Sequence, residues 1–301
     1  MTAPAGAGGT GGKALAFAAL TIAGLGWSLG FPLGKLTLRE IGPAHTILMR
    51  FVIASAFALP FALGPEARRL FRSPPVLLAG LFYGIAFLVQ FEGLAGVTVS
   101  LAALLVGVMP ALVAIAAWAL GERVSRLSWA GVAGATAGAV LLAGKPDGAG
   151  TPLGIALSLL SLRICLAWRL VLMRAPATRS ALAVPAVTLL VATAAVLPIA
   201  LLLHGPPRLD LSATAWAGLI GQGLLATFVA TAAWQYGAAR VGSASAGVFI
   251  NLEPLVGALI GIALFNDPAG VALIVGGLLI VAGSIAVVLG ERGAAAAPIG
   301  G

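Results

Sequence analysis

Four charged side chains fall inside strongly apolar stretches of this chain, and they are the groups most able to do chemistry. Glu253 lies about ten residues into one such stretch, beside Pro254 and two positions after Asn251. A carboxyl group at that depth must be protonated, paired or in contact with water, and groups of this kind mark functional positions by default. Arg163 is similarly deep, Arg50 sits a few residues into its stretch, and Arg169 is near enough to an end for its head group to reach water. A structural ion pair between Glu253 and Arg163 or Arg50 is the alternative to a substrate or proton role. Glu92, His45 and His204 fall near segment ends and read as boundary residues.

Tyr83, Phe87 and Gln90 follow i, i+4, i+7 spacing and share one helical face. Moving along by 144 residues gives Thr227, Thr231 and Trp234, a second stripe that mixes aromatic surface with hydrogen-bonding groups. Trp27 and Trp168 form a further pair at an offset of 141. A face turned to hydrocarbon would be wholly apolar, because an unpaired polar group there costs several kcal/mol. These stripes are expected to line a cavity, with hydrogen bonding between helices as the structural alternative.

The elements that must carry these groups are membrane spans. Hydrophobic residues make up 60% of the 301 residues, charged residues 9%, and mean hydropathy is +1.11. Soluble domains carry roughly 25% charged residues, and about 20 apolar residues cross a bilayer. Ten spans are predicted, near 14–35, 44–63, 75–93, 98–120, 127–144, 152–173, 181–203, 212–238, 243–265 and 269–290, with turn signals such as Gly42-Pro43 and Gly205-Pro206-Pro207 between most of them. Residues 1–12 are expected to be a disordered leader and 293–301 a disordered tail.

Residues 93–120 and 237–264 are two copies of one element. Gly93, Ala95, Val97, Ala102, Pro110, Ala114, Ala119 and Leu120 recur at Gly237, Ala239, Val241, Ala246, Pro254, Ala258, Ala263 and Leu264. Five spans from copy to copy put the second half upside down, dividing the chain into repeats at 13–148 and 149–292. Basic residues give an independent check on that count. One side would hold Lys13, Arg68, Arg69, Arg72, Arg123, Arg126, Arg174, Arg179, Arg240 and Arg292, and the other only Lys35, Arg39, Lys145 and Arg208. Positive residues accumulate in the cytoplasm, so both termini are expected there. The fold expected is an all-α membrane protein, ten transmembrane helices forming two inverted five-helix repeats around a central cavity.

Within the spans, Pro32, Pro110 and Pro254 each remove a backbone donor and are expected to act as hinges. Gly30/Gly34, Gly134/Gly138 and Gly257/Gly261 have the small-xxx-small spacing that lets helices approach in lipid. They are read as internal packing in a monomer, with dimerisation through one pair as the alternative. The chain has no HExxH, GxSxG or P-loop, no cysteine pair and no clustered acids. No catalytic residue, metal or cofactor is therefore assigned. The +8 charge is scattered singly over loops, which suits topology and not nucleic acid.

The segment Ser100–Ser125, SLAALLVGVMPALVAIAAWALGERVS, resembles the EamA repeat of the drug/metabolite transporter superfamily. Gly242–Asp267 resembles its second copy, including the Glu-Pro at Glu253-Pro254, and GWSLGFPLGKL and MRFVIA fit the same family. Two departures stand out: Phe265-Asn266-Asp267 replaces a Gly-Glu like Gly121-Glu122, and the sixth span carries Arg163 and Arg169. The resemblance implies ten helices around a cavity and export of small metabolites, and within the family the chain is most similar to YddG-type exporters of aromatic amino acids. The expectation is a bacterial inner-membrane exporter of amphipathic amino acids working by alternating access. Trp27, Tyr83, Phe87, Gln90, Trp168, Thr227, Thr231, Trp234, Asn251 and Glu253 would contact substrate. A carrier of phosphorylated metabolites or nucleotide sugars, with Arg163 and Arg50 on the anion, is one alternative. A membrane scaffold or lipid-handling protein is another.

Overall fold

The computed structural model describes residues 10–144, 149–241 and 246–296. Ten helices in it are long and apolar enough to cross a membrane: α1 (Gly12–Thr37), α2 (Pro43–Ala62), α3 (Pro74–Ala95), α4 (Val99–Ala119), α5 (Arg126–Ala143), α6 (Pro152–Leu172), α7 (Ala183–His204), α8 (Ala213–Val241), α9 (Gly247–Phe265) and α10 (Val271–Glu291). A short helix, Pro65–Leu70, lies between α2 and α3. Among the described residues there is no strand, only an isolated bridge between Val97 and Gly150. Most of the leader and all but four residues of the tail lie outside the described residues; helix begins at Thr10 and runs on to Ala296.

Three prolines inside spans sit at helix breaks, whereas Pro60 and Pro198 lie within the unbroken α2 and α7. Pro32 cannot bond the Ser28 carbonyl, and α1 breaks at Leu29 into Thr10–Ser28 and Gly30–Thr37. Pro110 frees the Val106 carbonyl, and α4 stops at Val106 and resumes at Met109. Pro254 frees the Ile250 carbonyl, and α9 opens as a 3-10 turn, Gly247–Asn251, before becoming α-helical at Leu252. The last two breaks fall at Gly107 and Asn251, one repeat offset apart, so the copies share a backbone defect as well as residues. In α8 the helix widens instead, into a π-helical stretch over Gln222–Val229. Such stretches are rare and cluster at functional sites.

The two repeats interlock. The most extensive packing is between α5 and α10, α3 and α6, and α1 and α8, and α4 packs on α9 and α2 on α7. Each of these joins one repeat to the other. Under the exchange of first and second repeats, α3 against α6 becomes α8 against α1, so the contacts obey the two-fold relation of inverted halves. Since lipid tails are as apolar as leucine, close fit and not hydrophobicity holds such pairs. Gly131 and Gly283 face each other backbone to backbone between α5 and α10, and Gly138 meets the Gly276 carbonyl. Gly257 faces Ala103 across α4 and α9, and Gly34 lies under the Phe91 ring. The Gly pairs with small-xxx-small spacing thus serve packing within the chain, although Gly30 has only Ala226 nearby, at 3.8 Å for a built Cβ.

Candidate binding cavity

A cavity of about 490 Å³ lies between the repeats. It runs from mid-depth, at Arg50 and Glu253, to the end of the bundle where Phe61, Met173, Leu182 and Gln235 lie. We call this the open end. Its volume falls in the range of about 300–1,000 Å³ found for small-molecule sites.

Helical periodicity sets which residues line it. On α3, Tyr83, Phe87 and Gln90 face inward together, and on α6 the inward face is Leu162, Cys165, Trp168, Arg169 and Leu172. Tyr83 is the hub of one aromatic wall. Its ring centroid lies 4.7 Å from Phe87, 4.7 Å from Trp168 and 5.4 Å from Phe51, stacked on the last at 8°. Trp27 of α1 and Trp234 of α8 form a second aromatic pair, 5.3 Å apart. Ring pairs in this distance range add about 0.5–1.5 kcal/mol beyond their burial. The first pair joins α3 to α6 and the second joins α8 to α1, so the symmetric helix pairs each contribute aromatic surface.

Polar groups are few. Thr227 and Thr231 lie on α8, with Thr227 inside the π-helical stretch, where its Oγ1 donates to the Gln222 carbonyl at 2.8 Å. The same oxygen accepts from Arg50 Nε at 2.8 Å. Glu253 reaches the cavity from α9, just after the 3-10 turn. Among the described residues it makes no ion pair; the one salt bridge found there is Arg208–Asp210, on the surface.

Nine of the ten residues expected from sequence to contact substrate line this cavity: Trp27, Tyr83, Phe87, Gln90, Trp168, Thr227, Thr231, Trp234 and Glu253. Asn251 does not. It is buried beside the cavity, its Nδ2 donating to the Val248 carbonyl at 3.3 Å inside the 3-10 turn that Pro254 creates. The same break that brings Glu253 to the cavity turns Asn251 back on its own backbone.

The arginines also sort differently from expectation. Arg163 stands on the outward face of α6 with Leu153 and Leu160, away from the cavity, so neither pairing with Glu253 nor anion binding there is available to it. Arg169, expected to reach for a helix end, is an exposed residue in the last turn of α6 and also lines the cavity, with its Cζ 5.9 Å from the Trp168 ring. Arg50, expected from sequence either to pair with Glu253 or to hold an anion, does line the cavity. Thr188, Phe228 and Cys165 also lie in the wall, with no signal in the sequence to distinguish them from packing residues.

The other end of the bundle is closed. Lys35 Nζ donates to the carbonyls of Leu94 (2.8 Å) and Val97 (2.6 Å), at the C-terminal end of α3. Asp267 Oδ2 accepts from Ser100 N (2.7 Å) and Ser100 Oγ (2.8 Å), at the start of α4. Each charge matches the helix end it caps, positive at a C-terminus and negative at an N-terminus. Between them, Thr98 N donates to the Ala149 carbonyl and Thr151 N to the Gly96 carbonyl, pinning the α3–α4 link to the start of the second repeat.

Both halves of the sequence match one family: the EamA-like transporter family covers residues 14–144 and again 152–289. The chain belongs to that family. An EamA-like protein with ten apolar helices is a multi-pass membrane protein, of the transporter kind. A solved structure titled "Crystal structure of protein" shares the fold, with a TM-score of 0.63 and 21% identity over 94% of this chain and 98% of that one. The search of curated proteins gives no match.

Proposed function

We propose that this EamA-like chain exports amino acids, preferably aromatic or otherwise amphipathic ones, across the bacterial inner membrane by alternating access between its inverted repeats. The observation that carries the reading is the cavity itself. Two aromatic walls, around Tyr83 and around Trp27–Trp234, enclose a space of small-metabolite size whose deep end holds Glu253 and Arg50. Flat rings suit the walls, and an ammonium group suits Glu253. In this reading both termini are cytoplasmic, because the open end lies among the basic loops, at Arg68, Arg69, Arg72, Arg174 and Arg179, so the cavity faces inward. Pro32, Pro110 and Pro254 serve as flexing points, since each already sits at a helix break. The chain acts as a monomer, without cofactor or catalysis.

The deciding experiment is efflux and counterflow in reconstituted vesicles against an amino-acid panel. Phe, Tyr or Trp should exchange, and Glu253→Gln should slow that exchange at least about tenfold, as expected for loss of a buried charged hydrogen bond. Exchange of no amino acid would sink the reading, and unchanged exchange in Glu253→Gln would remove that residue from it. Transport of phosphate esters is the second reading, and Arg50 with Arg169 in the wall gives it a footing. The outward placement of Arg163 takes away one of its two intended anion groups.

A further inference from the structure

We propose that Arg50 forms a carboxylate subsite at the deep end of the cavity, so that a free carboxylate is required of the substrate. The inference deepens the export reading and rests on the cavity being the transport site.

Arg50 is 4% exposed and lines the cavity. A guanidinium has five N–H donors and no acceptor. Among the described residues only one donor is used, Nε to Thr227 Oγ1. No carboxylate lies within 4 Å of it, the single salt bridge there being elsewhere. Two aromatic rings lie close to it: Cζ is 4.8 Å from the Phe87 ring centroid and 5.6 Å from that of Phe91. Cation–π attraction of this kind offsets part of the cost of burial. The two Nη atoms and their four N–H bonds are left without a protein acceptor.

A buried cation so incompletely satisfied is costly unless something else supplies acceptors. Two further groups in the same wall, Trp168 Nε1 and Thr188 Oγ1, are buried without a hydrogen-bond partner. The protein's own acid in the cavity, Glu253, attracts Arg50 from a distance but makes no ion pair with it within 4 Å, so it supplies the fork with no acceptor. A carboxylate answers the deficit with two oxygens in the planar geometry that a guanidinium fork matches. The anchoring is rigid. Thr227 is itself tied to the Gln222 carbonyl across the π-helical stretch, so Nε is locked and the fork keeps one direction. Since Arg50 belongs to α2 and Thr227 to α8, the subsite straddles the two repeats, the place where binding can bias one arrangement of the halves over the other.

A carboxylate is favoured over a phosphoryl group by charge. The wall sets Arg50 and Arg169 against Glu253, so the cavity carries one surplus positive charge, which a monoanion bearing an ammonium group suits better than a dianion.

The test measures binding to the purified full chain in detergent by tryptophan fluorescence and thermal shift. The probes are phenylalanine, 3-phenylpropionate, phenethylamine and phenyl phosphate. Wild type should bind phenylalanine and 3-phenylpropionate, with phenyl phosphate weaker than either. Arg50→Gln should weaken both carboxylates about thirtyfold or more while leaving phenethylamine within about twofold. Arg50→Lys, which keeps the charge and loses the fork, should fall between. If Arg50→Gln is not monodisperse, the ratio of 3-phenylpropionate to phenethylamine affinity in Arg50→Lys decides, and an unchanged ratio overturns the subsite. Equal loss of acid and amine binding overturns it too, as does tighter binding of phenyl phosphate. Carboxylate binding that depends on Arg50 without any amino-acid exchange would sink the export reading alone. Amino-acid exchange indifferent to Arg50→Gln would sink the subsite alone.

Discussion

The closed end of the central passage and the cavity that leads to the open end treat their polar groups differently. At the closed end every polar group named above has a partner: Lys35 and Asp267 cap the two helix ends at the α3–α4 link, and Thr98 and Thr151 pair with the start of the second repeat. In the cavity that leads to the open end the polar groups are short of partners, with Trp168 Nε1 and Thr188 Oγ1 bare and, at its deep end, Arg50 using one donor of five. Satisfied polar groups rigidify, and unsatisfied ones in a cavity wait for a ligand. If the proposed alternating access holds, the closed end is the counterpart of the open one, and its bonds are the ones that would have to break for the passage to open the other way.

The largest effect should come from prying the closed end apart sterically. A Cβ on Gly154 would lie 2.8 Å from the Gly96 carbonyl carbon and 3.0 Å from the Gly93 carbonyl oxygen, backbone atoms with no flexible side chain to yield. Gly154→Leu should destabilise the protein by about 3 kcal/mol, the upper range for overpacking, seen as a lowered thermal midpoint in detergent. A wild-type midpoint would mean that α3 and α6 do not cross so closely.

Next is the electrostatic lock. Lys35→Met with Asp267→Asn removes both helix-end charges, each contributing up to about 2 kcal/mol in partly buried geometry. A cysteine at Ala103, in a Cys165→Ala background, should then react with an impermeant maleimide from the closed side about tenfold faster. No increase would show that these bonds do not hold the end shut.

Cys165 tests the open end as it stands. It is the chain's only cysteine, 8% exposed and in the cavity wall. Labelling should proceed from the open side, and phenylalanine should slow it several-fold. Equal labelling from both sides would erase the contrast between the ends.

The smallest effect lies outside the spans, in the loops of the closed side. Hydrogen bonds from Ser212 Oγ and Ser212 N hold the exposed Glu40 carboxyl below its usual 4.5. A depressed value stabilises the fold above the unfolded value and loses that contribution as pH falls through the folded one. Glu40→Gln should therefore lower the thermal midpoint slightly at pH 7, and the difference should vanish in strong acid. A difference that grew on acidification would mean that the carboxylate is not the acceptor.

Much of this architecture was legible in the residues. Turn signals and apolar length place all ten spans within a few residues of the helices, including 75–93 and 98–120, where α3 ends at Ala95 and α4 starts at Val99. Pro110 and Pro254 announce their breaks because a missing N–H acts locally. The stripes Tyr83/Phe87/Gln90 and Thr227/Thr231/Trp234 face inward together because spacing alone ties their directions. The misses have one origin. Asn251 and Glu253 sit two apart, yet the 3-10 turn sends one to its own backbone and the other to the cavity. Arg163 and Arg169 are six apart on one helix, and their spacing does not say which of them faces lipid.

By itself, then, the sequence determined the membrane solvent, the helix count, the inverted pairing of the halves and the angular relation of residues along each helix. Those follow from composition, length and local backbone chemistry. The tertiary structure decided how each helix is turned about its own axis and which end of the passage is shut. Rotation is set by contacts such as Gly131 on Gly283, between residues more than a hundred positions apart. The closed end, likewise, depends on Lys35 meeting carbonyls of Leu94 and Val97 that no local pattern assigns to it.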